Sequence, residues 1–325
     1  MDLFKKVEQF IGRHQLASKG DTVIIGVSGG PDSVCLLDLL NHLKYKYGYH
    51  LIVAHFNHQL HSQADHHEYF VKKLAATYHL PFYSAPWQRK KSNALVNEEA
   101  ARKARYAFLE KTAKKVRSRI IALAHHEDDL AETVLMRIIR GSGLEGLRSI
   151  LPKREVNQFI YIRPILNITR EEIMRYIRKQ KLKYVQDPTN KDPKYLRNKI
   201  RGQLIPYLEK GFNRNIKSVL ANLAQTASLD YAYLEKEAQK LYNRLLKKER
   251  KESRLSFSLK SLLNKHPAMQ RQLLRLVYSS LKGDKNKLTY QHMGELENLL
   301  NAASATVHLP NGIRVKKVER RISIY

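Results

Sequence analysis

TVIIGVSGGPDSVCLLDLL, residues 22–40, carries three local signals in unbroken succession. Thr22–Val27 is a β-branched run that reads as a strand, and its near-continuous apolar character suits a strand covered on both faces. Ser28-Gly29-Gly30-Pro31-Asp32-Ser33 follows as a turn, and Val34–Lys46 reads as an apolar helix. A strand running through glycines into a helix start is the context in which a loop can hold phosphate. Glycines allow positive φ and close approach of the backbone to an anion. The helix N-terminus adds unpaired N–H groups and the positive end of its dipole. Ser28 and Ser33 contribute hydroxyls. No Gly-Lys-Ser/Thr follows the glycines, so this is not a Walker A loop, and the GxGxxG spacing of a dinucleotide loop is absent too.

Outward from this stretch, the first 190 residues alternate short strands with longer amphipathic segments. Strands are expected at Leu51–His55, Pro81–Ala85, Ile120–Ala124 and Phe159–Pro164, with helices near Ala64–His79, Glu98–Val116, Asp129–Arg140 and Arg170–Lys181. Such repetition predicts parallel βαβ units in a doubly wound α/β sheet. Asp187–Lys194 (DPTNKDPK) breaks the pattern as a loop. Beyond it the chain reads as mainly helical, including a long amphipathic candidate over residues 218–251 and another at Met269–Leu281. A small hairpin around Asn311-Gly312 is expected near the end. The expected division is a nucleotide-binding domain over residues 1–205 and a basic helical domain with a short β segment over residues 206–325.

The chain has 325 residues, 43% hydrophobic and 27% charged, which is enough for packed cores. Its 59 Lys and Arg against 30 Asp and Glu give a formal charge of +29. Residues 1–150 hold 22 basic and 15 acidic side chains, and residues 151–325 hold 37 and 15. That field favours a polyanionic partner, first a nucleic acid and second an anionic membrane surface. No apolar run is long enough to span a membrane, and the start MDLFKKVEQF does not resemble a signal peptide, so a cytoplasmic protein is expected. The single cysteine, Cys35, excludes an internal disulfide, a CxxC zinc site and an iron–sulfur cluster, and its apolar helix suggests a buried structural thiol.

A second cluster, Ala124-His125-His126-Glu127-Asp128-Asp129-Leu130-Ala131-Glu132, runs from a strand end into a helix. Asp128 and Glu132 are four apart and Asp129 and Glu132 three apart, so both pairs share a helix face. Capping of the helix explains one acid. For the others, Mg²⁺ or a substrate ammonium is the expected counter-charge. Adjacent His125 and His126 point in different directions, which argues against a shared zinc ion. The histidines of His55–His67 include HxxH spacings, but a loop beside a nucleotide accounts for His55 and Asn57 more simply. Arg102, Lys103 and Arg105 share a helix with Tyr106, where phosphate contact with RNA competes with a solvated face. Arg197 and Arg201, at i and i+4, should repel unless an anion sits between them, and a phosphate of a nucleotide or of a nucleic acid is the expected anion. For the basic run Lys247–Lys251 a solvated helix face is expected ahead of a binding tail.

These residues carry a resemblance. SGGPDS is similar to the SGGxDS signature of the PP-loop ATP pyrophosphatases, which cleave ATP between its α and β phosphates. His125 through Leu147, with Arg140-Gly141-Ser142-Gly143, resembles the AHHxDDxxETxLxRxxRGSGxxGL segment of the tRNA(Ile)-lysidine synthetase family. Ala101–Leu109 (ARKARYAFL), Arg163-Pro164-Ile165-Leu166, Asp187-Pro188-Thr189-Asn190 and Arg197-Asn198-Lys199-Ile200-Arg201 extend the match over about residues 20–205. The resemblance implies that Ser28, Gly29, Gly30, Pro31, Asp32, Ser33 and His55 bind ATP, with Asp32 and Asp128 holding Mg²⁺. It implies His125, Asp128, Asp129, Glu132 and Arg197 as catalytic residues, and Arg102, Arg105, Arg140, Asn198 and Arg201 as tRNA contacts. The implied partners are an isoleucine tRNA with a CAU anticodon and free lysine; a homodimer is left open. Family members often carry an Arg where this chain has Leu60-His61, and the longer members' extra C-terminal domain is not expected here. A sulfide-using tRNA thiolase and a non-catalytic RNA-binding protein are the alternative readings.

Overall fold

A computed structural model describes residues 2–59, 62–87, 98–186, 195–245, 247–249, 254–282 and 288–325. Leu60-His61 and the Asp187–Lys194 loop therefore lie outside the described residues. The chain divides into two compact units, one reaching Ala227 and the other Ser228–Tyr325.

The first unit runs α1 (Leu3–Arg13), β1 (Thr22–Gly26), α2 (Pro31–Tyr47), β2 (His50–Asn57), α3 (Ala64–Thr77), β3 (Phe82–Pro86), α4 (Glu98–Lys115), β4 (Ile120–Ala122) and α5 (Glu127–Ile139). It continues through α6 (Leu144–Leu147), β5 (Lys153–Val156), β6 (Phe159–Ile162), α7 (Arg170–Lys179), α8 (Leu196–Lys199), α9 (Ile205–Gly211) and the first part of α10 (Ile216–Leu245). The strand order is β3-β2-β1-β4-β6-β5, parallel except for β5, which pairs antiparallel with β6. The expected doubly wound sheet is thus present. Three elements lay outside the sequence expectation: the amphipathic helix α1, the one-turn helix α6 and the edge strand β5, whose KREV carries charge where a buried strand would not.

β1 and β2 are buried on both faces because their alternate side chains enter different cores. Val23, Ile25, Leu51 and Val53 join α1, α2, α3, α5 and α7 on one side. Ile24, Ile52 and Ala54 meet Leu109 and Ala113 of α4 on the other. The sheet grows from β1 through β2 to β3, then returns to β4 on β1's far side. A right-handed crossover made in the reversed direction places α4 on the face opposite α2 and α3. The reversal leaves a crevice at the carboxyl ends of β1 and β4, where ligands bind in sheets of this kind.

Helix α2 begins after Gly30 with Pro31 in its first turn and ends at Gly48, φ +64°. Its Val34, Leu36, Leu37, Leu39, Leu40 and Leu43 are buried, each contributing about 1.5–3 kcal/mol. Cys35 is buried among them, and burial pushes its thiol well above the usual range, as a structural thiol requires. One acid, Asp38, is also buried there. Its carboxylate accepts from Tyr78 Oη at 2.6 Å and from Tyr176 Oη at 2.5 Å, which fastens α7 and the end of α3 to α2.

The second unit contains β7 (Lys247–Glu249), β8 (Arg254–Ser258), α11 (Leu259–Leu263), α12 (Pro267–Lys282), α13 (Tyr290–Asn301), β9 (Ala305–Leu309), β10 (Ile313–Val318) and β11 (Arg321–Ile324). The expected hairpin is present as β9 and β10, joined by a 3₁₀ turn in which Asn311 and Gly312 have positive φ. It belongs to a larger antiparallel sheet, β7-β8-β11-β10-β9. Lys247–Glu249 is accordingly a strand where a helix face was expected, because pairing with β8 outweighs the local charge pattern. In β10, Ile313 and Val315 face a core with Leu273, Val277, Leu296 and Leu300. Lys317 shares that buried face, and its Nζ donates to the Leu300 carbonyl at 2.7 Å, a cation satisfying the last turn of α13.

Replacing Tyr176 by Phe removes one of the two phenols on Asp38 and leaves a buried carboxylate oxygen without that donor. Denaturant unfolding should show a loss of about 1–3 kcal/mol; an unchanged midpoint would refute this account of how α7 is held.

Candidate active site

The loop after β1 is shaped by its own serines and glycines. Gly29 has φ +90°, and a Cβ there would lie 2.7 Å from Val185 Cγ2, so both the turn and the close packing require glycine. Ser33 Oγ accepts from the Ser28 and Gly29 N–H groups, each at 3.2 Å, and donates to the Gly30 carbonyl at 2.9 Å. The Gly29 carbonyl accepts from the Val185 N–H at 3.0 Å. These bonds hold Ser28–Ser33 as a curled backbone at the start of α2, with Asp32 in the helix's first turn. His55, buried at the end of β2, bonds through Nδ1 to the Val27 carbonyl at 2.8 Å and so braces the same strand end. Burial pulls its imidazole below the ordinary range, which favours the neutral ring.

The acids of α5 meet this loop through His126. Its Nε2 lies 3.7 Å from Asp32 Oδ1 and 3.6 Å from Asp129 Oδ2, and its Nδ1 lies 3.7 Å from Asp128 Oδ1. Burial lowers the pKa of His126, but Asp129, Asp128 and Asp32 together outweigh it and raise it to about 9. The ring is therefore an imidazolium near neutral pH. Asp129 also accepts from the His126 N–H at 3.1 Å, so the capping expected for one acid is met by Asp129.

The remaining acids differ from the expectation of an external counter-charge. Asp128 accepts from the Arg170 backbone N–H at 2.8 Å and lies 3.1 Å from Lys217 Nζ. Burial would push its carboxyl up, but His126, the Arg170 N–H and Lys217 outweigh that and hold it well below the usual range. Glu132, 1% exposed, accepts from Arg201 Nε at 2.6 Å and Nη2 at 2.9 Å, with Arg197 Nε at 3.5 Å. Arg197 also donates to Thr133 Oγ1 at 2.8 Å. The anion between Arg197 and Arg201 is thus Glu132, where the sequence reading expected a phosphate of a nucleotide or of a nucleic acid. The π-helical turn Ile200–Leu204 packs beside α5 and brings the guanidiniums there. Even Glu127 is engaged, accepting from Ser218 Oγ at 2.9 Å.

Among the described residues, no three His, Cys, Asp or Glu side chains converge as a metal-ligand set. Mg²⁺ needs less than that, since it commonly takes one or two carboxylates and completes its shell with phosphate and water. Asp32 fits this role beside the loop. Asp128 fits it less well, because both its oxygens face the protein's own donors.

His125 occupies a different electrostatic setting. Burial holds its pKa well below the ordinary value; Asp129 opposes this, while Arg163, Arg105 and Arg102 reinforce it. Its Nδ1 is buried with no hydrogen-bond partner. Arg102 and Arg105 lie 4.9 and 5.7 Å from the centre of the Tyr106 ring, and Arg102 donates to Tyr106 Oη at 3.0 Å. Lys103 pairs with Glu99 at 2.7 Å. Arg140 stands apart, capping the far end of α5, about 20 Å of helix from His126. Asn198 lies on α8 between the two arginines. Sequence reasoning assigned no role to His126, Arg170 or Lys217. The T-x-x-E capping box at Thr169–Glu172 marks where Arg170 sits, whereas nothing local marks Lys217.

An Arg201→Ala variant should lose about 1–3 kcal/mol of stability: Glu132 stays buried with a weaker partner, but Arg201 is itself 43% exposed and screened. Thermal or denaturant unfolding against Arg201→Lys checks this, and equal stability of the two variants would contradict it.

The profile described as PP-loop domain matches residues 2–208, and that described as TilS substrate binding domain matches residues 257–320. The chain is 36% identical to the tRNA(Ile)-lysidine synthase of Caldanaerobacter subterraneus subsp. tengcongensis, over 99% of its own length and 69% of that protein's. It is also 36% identical to the tRNA(Ile)-lysidine synthase of Geobacter sulfurreducens, over 97% and 67%. It therefore spans about two thirds of the length of these relatives. Among solved structures it is similar in fold to the U34-tRNA thiolase NcsA from Methanococcus maripaludis, with TM-score 0.58 and 20% identity over 69% of this chain and 76% of that one. With a glycine loop at the carboxyl end of β1, an acid-bearing helix after β4, and relatives aligned along nearly its whole length, this chain belongs to the tRNA(Ile)-lysidine synthase family.

Proposed function

We propose that the chain forms lysidine on tRNA(Ile) by ATP-dependent ligation, with the CAU-anticodon isoleucine tRNA and free lysine as co-substrates. The observation that carries this reading is the SGGPDS loop at the sheet's switch point, facing the cluster of Asp32, His126, Asp128 and Asp129. The C2 carbonyl oxygen of the wobble cytidine attacks the α-phosphorus of ATP, and pyrophosphate leaves. The ε-amine of lysine then bonds to C2, the C2–O2 bond breaks, and AMP departs.

In this reading Ser28–Ser33 cradle the phosphates with backbone N–H groups. Mg²⁺, when bound, withdraws charge from the phosphates, and Asp32 would hold it. Asp129 would present a carboxylate to the lysine, while Glu132, already paired with Arg201 and Arg197, holds those guanidiniums beside it. The attacking amine must shed a proton, and a neutral imidazole such as His125 is suited to accept it. Arg102, Arg105, Arg140, Asn198 and residues 206–325 would contact the RNA, consistent with the excess of basic residues after residue 150. A cytidine offered from a single-stranded anticodon loop can be flipped into such a crevice without breaking a duplex. We place the reaction in the cytoplasm; among the described residues no helix is long and apolar enough to cross a membrane.

The deciding experiment measures labelled lysine entering acid-insoluble RNA with purified protein, ATP, Mg²⁺ and CAU-anticodon isoleucine tRNA. Labelling that requires ATP and disappears with a wobble-uridine transcript is the expected result. AMP release without labelling would indicate a different nucleophile, and neither product would favour a binding protein.

A further inference from the structure

The loop that receives the triphosphate contains no lysine, and one of its six residues, Asp32, is acidic. Backbone N–H groups alone are poor compensation for several phosphate charges beside a carboxylate. One divalent cation leaves part of the triphosphate charge uncompensated, and a side-chain cation from elsewhere in the fold can supply the rest. The cations around the site are not equivalent. Lys217 is shared by Asp128 and Glu209, each at 3.1 Å. Arg201 makes its short contacts to buried Glu132, and Arg197 is divided between Glu132 and Thr133. His126 is almost wholly buried among three aspartates. Arg170 differs. Its guanidinium is paired with Asp32 of the loop itself, and its side chain is 40% exposed.

Arg170 is also firmly mounted. It is the first residue of α7, and its own backbone N–H is fixed on Asp128 Oδ1. Thr169 and Glu172 close a capping box around it, and Lys6 Nζ holds Glu172 at 2.9 Å. Further along α7, Tyr176 is bonded to Asp38 of α2, the helix that the loop begins. The helix that begins at the loop thus also anchors α7, on which the guanidinium stands.

We propose that Arg170 is a phosphate-binding residue of the ATP site: its guanidinium exchanges the Asp32 carboxylate for phosphate oxygens, freeing Asp32 for the divalent cation. Arg170 then supplies the charge that a loop lysine provides in other phosphate loops, and its planar fork suits two oxygens at once. The inference rests on the loop binding ATP, which the wild-type protein tests independently.

The experiment measures ATP and pyrophosphate affinity, without tRNA or lysine, for wild type, Arg170→Ala and Arg170→Lys, each with Mg²⁺, alongside unfolding midpoints. Loss of a charge-assisted contact should weaken ATP binding about 10- to 100-fold in Arg170→Ala, with Arg170→Lys intermediate. In a separate binding measurement, affinity for tRNA should be unchanged in both variants. A lowered midpoint with wild-type ATP and pyrophosphate affinity would make Arg170 a structural partner of Asp32 and overturn the proposal. Equal losses in Arg170→Ala and Arg170→Lys would overturn it as well, since a retained charge would then count for nothing. Wild-type protein that fails to bind ATP would remove the ATP reading and this inference together.

Discussion

Burying carboxylates at the start of one helix is costly unless every one of them meets a donor, and at α5 those donors come from distant parts of the chain. Asp128 is met by the N-terminus of α7 and by Lys217 of α10, Glu132 by Arg201 of the π-helical turn, and Glu127 by Ser218. Asp129 turns back on His126. Because each partner belongs to a different element, the charge balance also decides where α7, α10 and the segment after α8 must lie. The hydrophobic core around α2 supplies the larger stabilisation, but it is non-directional. The ion pairs supply the direction.

The two adjacent histidines show how finely burial and charge divide a site. His126, ringed by Asp32, Asp128 and Asp129, is held as a cation. At His125, one residue earlier, desolvation and the charges of Arg163, Arg105 and Arg102 outweigh Asp129 and favour the neutral ring. Neighbours one position apart along the chain thus carry opposite protonation tendencies, because the charges that face them differ in sign.

Much of the first unit was legible because its signals are local. The apolar run of Thr22–Val27, the two glycines and the leucines of α2 each depend on neighbours within a few residues, and they fix a strand, a turn and a helix in that order. The capping role of an acid near Asp128 was likewise local, although the residue that performs it is Asp129. The charge partners were not legible. Arg201 and Glu132 are 69 positions apart and Arg170 and Asp32 are 138 apart, so no spacing rule links them. For the same reason a pair of arginines at i and i+4 suggested an external anion when the chain supplied its own. In the second unit, the strands β7 and β8 are short, and β7 is charged, so only their pairing identifies them as strands.

The sequence by itself determined the parallel α/β layout, the glycine turn of Ser28–Ser33 between a strand and a helix, and the basic field after residue 150, because periodicity, glycine geometry and net charge are properties of the chain read in order. Only the tertiary structure decided which acids remain available at the site and which are neutralised from within. That outcome depends on which cations the folded backbone carries to within about 4 Å of each carboxylate, and Coulomb attraction in a buried setting is set by that distance rather than by position along the chain.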